Sequence, residues 1–278
     1  MKVTLWGTRG SIAAPGPDTT RYGGNTSCVS VEGPEGTVLV LDAGTGVRRL
    51  GPTLTGRVRR IDMLLTHLHM DHIQGFGFFA PLRTAGHEIH VWGPASTTLS
   101  LHTRLSRYMS PPLFPVRLRD LPCDLHLHEV PCGEVTIGEF QVTSELVCHP
   151  GPTVGFRVWN ESSSMAYIPD HEPGLGLQGP LQDPDWTSGY ALAKGVDLLI
   201  HDGQYDESEY EDRVGWGHSP LSRTFEFAAL TGVKKLVPFH HDPGHDDGTL
   251  DRMLGDAVRD LNPSFDVAAG TEDAVFEL

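Results

Sequence analysis

The stretch Thr66-His67-Leu68-His69-Met70-Asp71-His72 gathers three imidazoles and a carboxylate into six consecutive residues. It follows an apolar run, Ile61–Thr66, that reads as a strand. Side chains two apart on extended backbone share a face, so His67 and His69 point to the same side. The chain then turns, and Asp71 and His72 enter beside them at the start of a helix expected over His72–Phe79. Nitrogen and carboxylate donors grouped in this way suit zinc, manganese or iron. The chain also carries its own comparison. His126-Leu127-His128 alternates too, but no Asp-His pair or helix-opening turn follows it, so it reads as a half-exposed strand and not a metal site.

Outward from this cluster, the pattern is β-rich, then helical, then β-rich, then helical. Strands are expected at Val3–Trp6, Cys28–Val31 and Thr37–Leu41 before the cluster. A helix at Thr97–Tyr108 is stopped by Ser110-Pro111-Pro112, because consecutive prolines cannot continue it. Strands return at His126–Val130, Phe140–Cys148, Val154–Trp159 and Met165–Pro169. Helices near Ser188–Lys194, at Leu221–Thr231 and at Leu250–Leu261 then alternate with strands Val196–His201 and Lys235–Phe239. Two similar halves with face-to-face sheets and outer helices account for this order. The segment Pro173–Asp185 reads as a loop, and residues 1–278 as one domain.

Bulk properties narrow the partners. With 21 basic against 36 acidic residues, the formal charge is −15, a field that opposes binding of a long polyanion. The densest basic run, Arg57-Val58-Arg59-Arg60, reads as a solvated face. The cysteines Cys28, Cys123, Cys132 and Cys148 lack metal or redox spacing and read as buried free thiols in a reducing compartment. The N-terminus has no signal-like apolar region and no run is long enough to span a bilayer, so the expected location is cytoplasmic, with no membrane partner.

In this strand–turn–helix setting, Thr66–His72 resembles the His-x-His-x-Asp-His signature of the metallo-β-lactamase superfamily. Asp42-Ala43-Gly44-Thr45-Gly46 resembles that family's earlier Asp-x-Gly-x-Gly turn. Cys148-His149-Pro150 resembles its lone histidine after a strand, and Tyr167-Ile168-Pro169-Asp170 its bridging aspartate. The resemblance covers nearly the whole chain. It implies an α/β fold, an αββα sandwich of two mixed sheets with helices outside and the site at one edge. It further implies that His67, His69 and His149 hold one metal and that Asp71, His72 and a late histidine hold the second, with Asp170 bridging. Two late histidines, His240 and His241, end the strand Lys235–Phe239, and the tRNase Z-like branch aligns His240.

A second resemblance narrows the reaction. Leu198-Leu199-Ile200-His201-Asp202 and Gly215-Trp216-Gly217-His218-Ser219 resemble segments of tRNase Z-like phosphodiesterases, which implies that Asp202 orients His218 and that His218 protonates the leaving oxygen. Asp202 stands where many relatives carry Glu. The N-terminal Trp6–Ile12 and Arg21–Cys28 resemble a bacterial group of cyclic-nucleotide phosphodiesterase-like hydrolases; there Arg9, Asn25 and the Gly-rich backbone either reach a phosphate or the metal edge, or Gly23-Gly24-Asn25 is simply a turn. The expected activity is phosphodiester hydrolysis with two divalent metal ions, zinc or manganese, in which Asp71 also orients the nucleophile. The expected substrate is a small phosphodiester such as a cyclic nucleotide. Long nucleic acid is disfavoured by the charge and by the lack of a long basic inserted arm. The segment Leu101–Asp120, with Arg104, Arg107, Arg117 and Arg119 and with Tyr108 and Phe114 interleaved, either covers a nucleotide or is a plain helix and loop. A homodimer is implied by the resemblance alone. The rival readings are a tRNase Z-like RNA-processing endonuclease and a catalytically inactive metal-binding regulatory protein.

Overall fold

The computed structural model describes residues 1–130, 133–176 and 179–278. The first half supplies strands β1 (Lys2–Gly7), β2 (Cys28–Glu32), β3 (Val38–Leu41), β4 (Arg60–Leu64), β5 (Glu88–Pro94) and β6 (Asp124–Val130). The second half supplies β7 (Gly133–Ile137), β8 (Phe140–Leu146), β9 (Val154–Trp159), β10 (Ser164–Ile168), β11 (Leu198–Asp202), β12 (Lys235–Phe239) and β13 (Asp266–Val267), and β14 (Val275–Glu277) returns to the first sheet. Two seven-stranded sheets result, in the orders β14-β1-β2-β3-β4-β5-β6 and β13-β12-β11-β10-β9-β8-β7. Both are mixed: β3 to β6 and β10 to β13 run parallel within their sheets, and the remaining pairings are antiparallel.

Strand alternation explains the layering. In β3, Leu39 and Leu41 face the second sheet while Val38 and Val40 face the helices, and in β10 Met165 and Tyr167 face inward while Ala166 and Ile168 face outward. Parallel strands covered on both faces must be apolar throughout, as these are. Phe140, Phe156, Tyr167 and Phe239 fill the space between the sheets. Outside the first sheet lie α1 (Val47–Leu54), α2 (Met70–Ile73) and α3 (Leu101–Tyr108); outside the second lie α4 (Tyr190–Ala193), α5 (Glu207–Glu211), α6 (Leu221–Thr231) and α7 (Asp247–Leu261). Helix α1 buries Val47, Leu50, Gly51 and Leu54, the spacing of one helical face. Helix α6 stops at Gly232, whose φ of +67° suits a residue without Cβ. This is the expected αββα sandwich.

Several local expectations change. The helix expected over His72–Phe79 is only the single turn α2, followed by short 3-10 turns at Phe76–Phe78 and Ala80–Arg83. The Gly75 amide donates to the Ala43 carbonyl and not to the helix, and its backbone lies so close to Gly44 that a Cβ would meet the Gly44 carbonyl at 2.1 Å. Helix α3 begins at Leu101 and not Thr97, because Ser100 caps it by accepting from the Thr103 amide. Of the thiols, Cys28 is buried whereas Cys123 and Cys148 are half-buried, and all three are free. Cys132 lies outside the described residues, as do residues 177 and 178 of the expected loop. Among the described residues, no helix is long and apolar enough to cross a membrane.

Candidate metal centre

Most residues of the predicted cluster arrive from the ends of strands. His67 and His69 follow β4, His149 follows β8, Asp170 follows β10, Asp202 ends β11 and His240 follows β12, while Asp71 and His72 form the turn of α2. Crevices beyond the carboxyl ends of parallel strands are where open α/β sheets gather polar groups. Here the ends of both sheets meet at one edge.

Two adjoining cages form. In one, His67, His69, His149 and Asp170 each place a donor atom within 4.8 Å of the others; in the next, Asp71, His72, His240 and Asp170 do the same. The carboxylate of Asp170 divides itself between them. Its Oδ2 lies 3.6 Å from His67 Nε2 and 3.8 Å from His149 Nε2. Its Oδ1 lies 3.0 Å from His72 Nε2 and 3.4 Å from His240 Nε2. Asp71 Oδ2 lies 3.2 Å from His72 Nε2 and 3.0 Å from His240 Nε2.

The outer contacts decide which way each imidazole points. His72 Nδ1 is 2.8 Å from Asp42 Oδ2, His149 Nδ1 is 2.8 Å from the Gly217 carbonyl, and His240 Nδ1 is 2.9 Å from Gln204 Oε1. His67 Nδ1 is 3.0 Å from the Thr66 hydroxyl, which itself donates to Asp42. These acceptors draw the Nδ1 proton outward, so four Nε2 lone pairs aim inward. His69 turns the other nitrogen in, its Nδ1 lying 3.2 Å from His149 Nε2. The residues fit divalent cations. His67 Nε2 and Asp170 Oδ1 are buried without a hydrogen-bond partner, which a buried polar atom tolerates poorly unless an ion completes it.

Electrostatics agree with the geometry. Burial opposes charge on His72, yet Asp170, Asp71 and Asp42 overcome it and raise its pKa well above the usual value, so a proton holds the inner nitrogen until a cation replaces it. Burial also opposes ionisation of Asp170, but His240, His72 and His67 pull its pKa well below the ordinary range. In His67, burial and then His72 depress the pKa far below normal.

The Asp202–His218 pair sits against the second cage. His218 Nδ1 lies 2.7 Å from Asp202 Oδ2, and its ring stacks on His240 at 4.9 Å between centroids. Asp202 also accepts from the backbone amides of His171, Gln204 and Ser219, so its side chain has one orientation. Burial works against protonation of His218, but Asp202 outweighs it and raises the pKa to about 9. The loop carrying His218 is drawn in by Glu172, which accepts from the amides of Gly215 and Gly217, while Trp216 between them stands 59% exposed. Gly217 has φ of +87°, and a Cβ there would meet His149 Nδ1 at 2.4 Å.

Other predicted residues lie elsewhere. His241 turns away from the cages: its Nε2–H donates to the Gly270 carbonyl, and burial, first among its causes, depresses its pKa to about 3. Arg9 is buried and donates to the carbonyls of Gly23, Asp242 and His245. It is a clamp for loops and does not face the cages. Asn25 donates to Glu272. The residues not singled out beforehand are Gln204, Thr66, Gly217 and Ser11, whose amide donates to Asp71 Oδ2. Asp42 was visible only as part of a turn; it is the hub on which Thr66, His72 and Tyr167 converge.

Comparison with known proteins agrees with this architecture. A family model described as a beta-lactamase superfamily domain matches residues 37–241, well over half of the chain. Ribonuclease Z from Thermosynechococcus vestitus is 30% identical across 86% of this chain and 66% of its own, so the chain spans just under two thirds of that relative's length. Among solved structures, the metallo-beta-lactamase fold protein YhfI from Bacillus subtilis superposes with a TM-score of 0.69 at 18% identity, covering 100% of this chain and 98% of that one. The short form of human tRNase Z gives 0.67 at 22% identity, covering 100% and 99%. With the strand order, the paired cages and this match in agreement, the chain belongs to the metallo-β-lactamase superfamily.

Proposed function

We propose that the chain is a binuclear metal-dependent phosphodiesterase whose substrate is a small phosphodiester such as a cyclic nucleotide. The observation that carries this reading is the set of four imidazoles whose outer nitrogens are engaged while their inner ones converge on one shared carboxylate, Asp170. His67, His69 and His149 would hold one ion, Asp71, His72 and His240 the other, and Asp170 both. Two divalent cations bound there, zinc or manganese, would supply an activated water and neutralise the phosphoryl oxygens. The protein's own part is orientation and proton delivery. Asp71, fixed by the Ser11 amide, keeps one face of the site anionic. His218, charged at neutral pH and aligned by Asp202, gives its Nε2 proton to the departing oxygen, a contribution of about 10²–10⁴-fold.

What adjoins the cages supports a small substrate. Beside His67 and His69 opens a cavity of about 360 Å³, with Leu68, Ile73, Tyr108 and Pro150 supplying apolar wall and Arg107 a cation. That volume lies in the range of small-ligand sites. Arg104 is held by the carbonyls of Leu99 and Pro94, whereas Arg107 is exposed and carries no ion pair among the described residues, which leaves it available to a phosphate or base. A net charge of −15 disfavours a long polyanion. The ribonuclease Z relative supports the second reading, RNA 3′-end processing. Metal-loaded protein should hydrolyse bis(p-nitrophenyl) phosphate, and Asp71→Ala should abolish this. On a panel of cyclic nucleotides, dinucleotides and precursor tRNA, cyclic nucleotides should turn over fastest. Efficient trimming of tRNA with inert cyclic nucleotides would replace the first reading by the second.

A further inference from the structure

At the opposite end of the first sheet lies a second group of metal-ligating side chains that the catalytic reading does not use. Strands β5 and β6 run parallel in a register that pairs Glu88 with Asp124, His90 with His126, and Trp92 with His128. Alternation puts all six on one face. That face is the inter-sheet side, because Trp92 packs on the inter-sheet core whereas Ile89 and Val91 pack under the helices. The position is the start of these strands, since Glu88 also pairs with Arg60, the first residue of β4, while the catalytic cages lie beyond the end of β4. At this edge the apolar filling between the sheets gives way to histidines.

The contacts there have the layout of a ligand set with its outer support. His90 Nε2 lies 2.8 Å from Glu88 Oε1, and Glu88, His90 and His126 each place a donor within 4.8 Å of the others. Asp124 Oδ1 lies 3.2 Å from His126 Nε2 and adds negative charge. On the other side of the ring, His90 Nδ1 meets His128 Nε2 at 2.8 Å. An imidazole that binds a cation through one nitrogen donates the proton on the other to such an acceptor. His128 is fixed in turn: its ring stacks on Trp92 at 4.0 Å between centroids, and the Trp92 indole donates to Asp62.

We propose that Glu88, His90 and His126 form a third metal site, for a zinc-class divalent cation, that ties edge strand β6 to β5. Two atoms on one zinc are separated by no more than about 4 Å, given bonds near 2 Å. The side chains of Glu88, 31% exposed, and His126, 42% exposed, have room to close the remaining distance. Glu88, His90 Nε2 and His126 would supply three ligands and a water the fourth, with His90 in the tautomer that keeps its proton on Nδ1 toward His128.

The test is a zinc count on the full chain. Protein stripped with chelator is titrated with Zn²⁺ against a chromophoric competitor, for wild type and for the His90→Gln/His126→Gln double variant. The double variant should bind one equivalent fewer and hydrolyse bis(p-nitrophenyl) phosphate at the wild-type rate. The difference of one equivalent holds however many ions the catalytic cages take, so failure of either reading is separable from failure of the other. Equal counts in the two proteins overturn the proposal. Should the double variant lose its fold by circular dichroism, Glu88→Gln decides the matter. An affinity for the extra equivalent weakened at least tenfold supports the site, and an unchanged one refutes it.

Discussion

Gln204 shows how a residue outside the cages shapes them. Its side-chain oxygen faces His240 Nδ1, and its amide nitrogen donates to Ser11, Tyr205 and Asp242. Gln204→Leu removes the acceptor and frees the His240 ring to rotate, so metal affinity should fall about 10- to 100-fold, measured by competition against a chelator, while Gln204→Glu should retain most of it. Backbone strain marks the same places. His240 and Asp42 have φ of +60° and +59°, conformations that non-glycine residues adopt at a cost of about 1–3 kcal/mol and that persist where the surroundings fix them. His218 allows a sharper test. His218→Ala should slow hydrolysis of a diester with an alkyl leaving group by about 10²–10⁴-fold. The p-nitrophenyl ester, whose leaving group needs no proton, should lose far less. Equal losses on both would remove His218 from the role of acid.

At the scale of elements, β11 carries two buried histidine contacts with a consequence for stability. His201 Nδ1–H donates to the Asp202 carbonyl, and its Nε2 lies 2.9 Å from His171 Nδ1. Burial depresses the His201 pKa from 6.5 to about 4. The unfolded chain therefore takes up the proton first, so this contribution is whole above pH 6.5, declines as pH falls, and is gone below about 4. Its size is on the order of 3 kcal/mol. Denaturant midpoints for wild type should fall between pH 7 and pH 4.5, and His201→Gln should flatten that slope. The elements themselves were unequally legible. Helix α6 and strands β9 and β12 have the bounds their patterns suggest, because their apolar periodicity and their Gly232 or Asn160 ends are local signals. Helix α2 was overestimated, because the close approach of Gly75 to Gly44 is a tertiary constraint. Among the donors, His67 to His72 announce themselves by spacing, and His149, Asp170 and His240 only through family order. Gln204 and Thr66 leave no trace in spacing, since their role is a hydrogen bond to a ring supplied by another strand or by the next residue. His126 looked unaccompanied for the same reason: Glu88 and His90 belong to the neighbouring strand.

For the whole molecule, the centre is a junction. His67, His69, Asp71 and His72 come from the first sheet, and His149, Asp170 and His240 from the second, so ions bound there would cross-link the two layers. Metal at about 1,000 times its dissociation constant stabilises the folded state by about 4 kcal/mol per site. Chelation should therefore lower the melting temperature, and zinc or manganese should restore it. A melting temperature indifferent to chelator would separate the cages from folding. Glu172 gathers the loop of His218 under the centre and leaves Trp216 in solvent. That arrangement places a built-in fluorophore two residues from His218. An exposed indole emits at long wavelength, and a ligand settling over the loop would shift its emission to the blue. Arrival of substrate could thus be timed by stopped flow apart from the chemistry, with Trp216→Phe as the silent control.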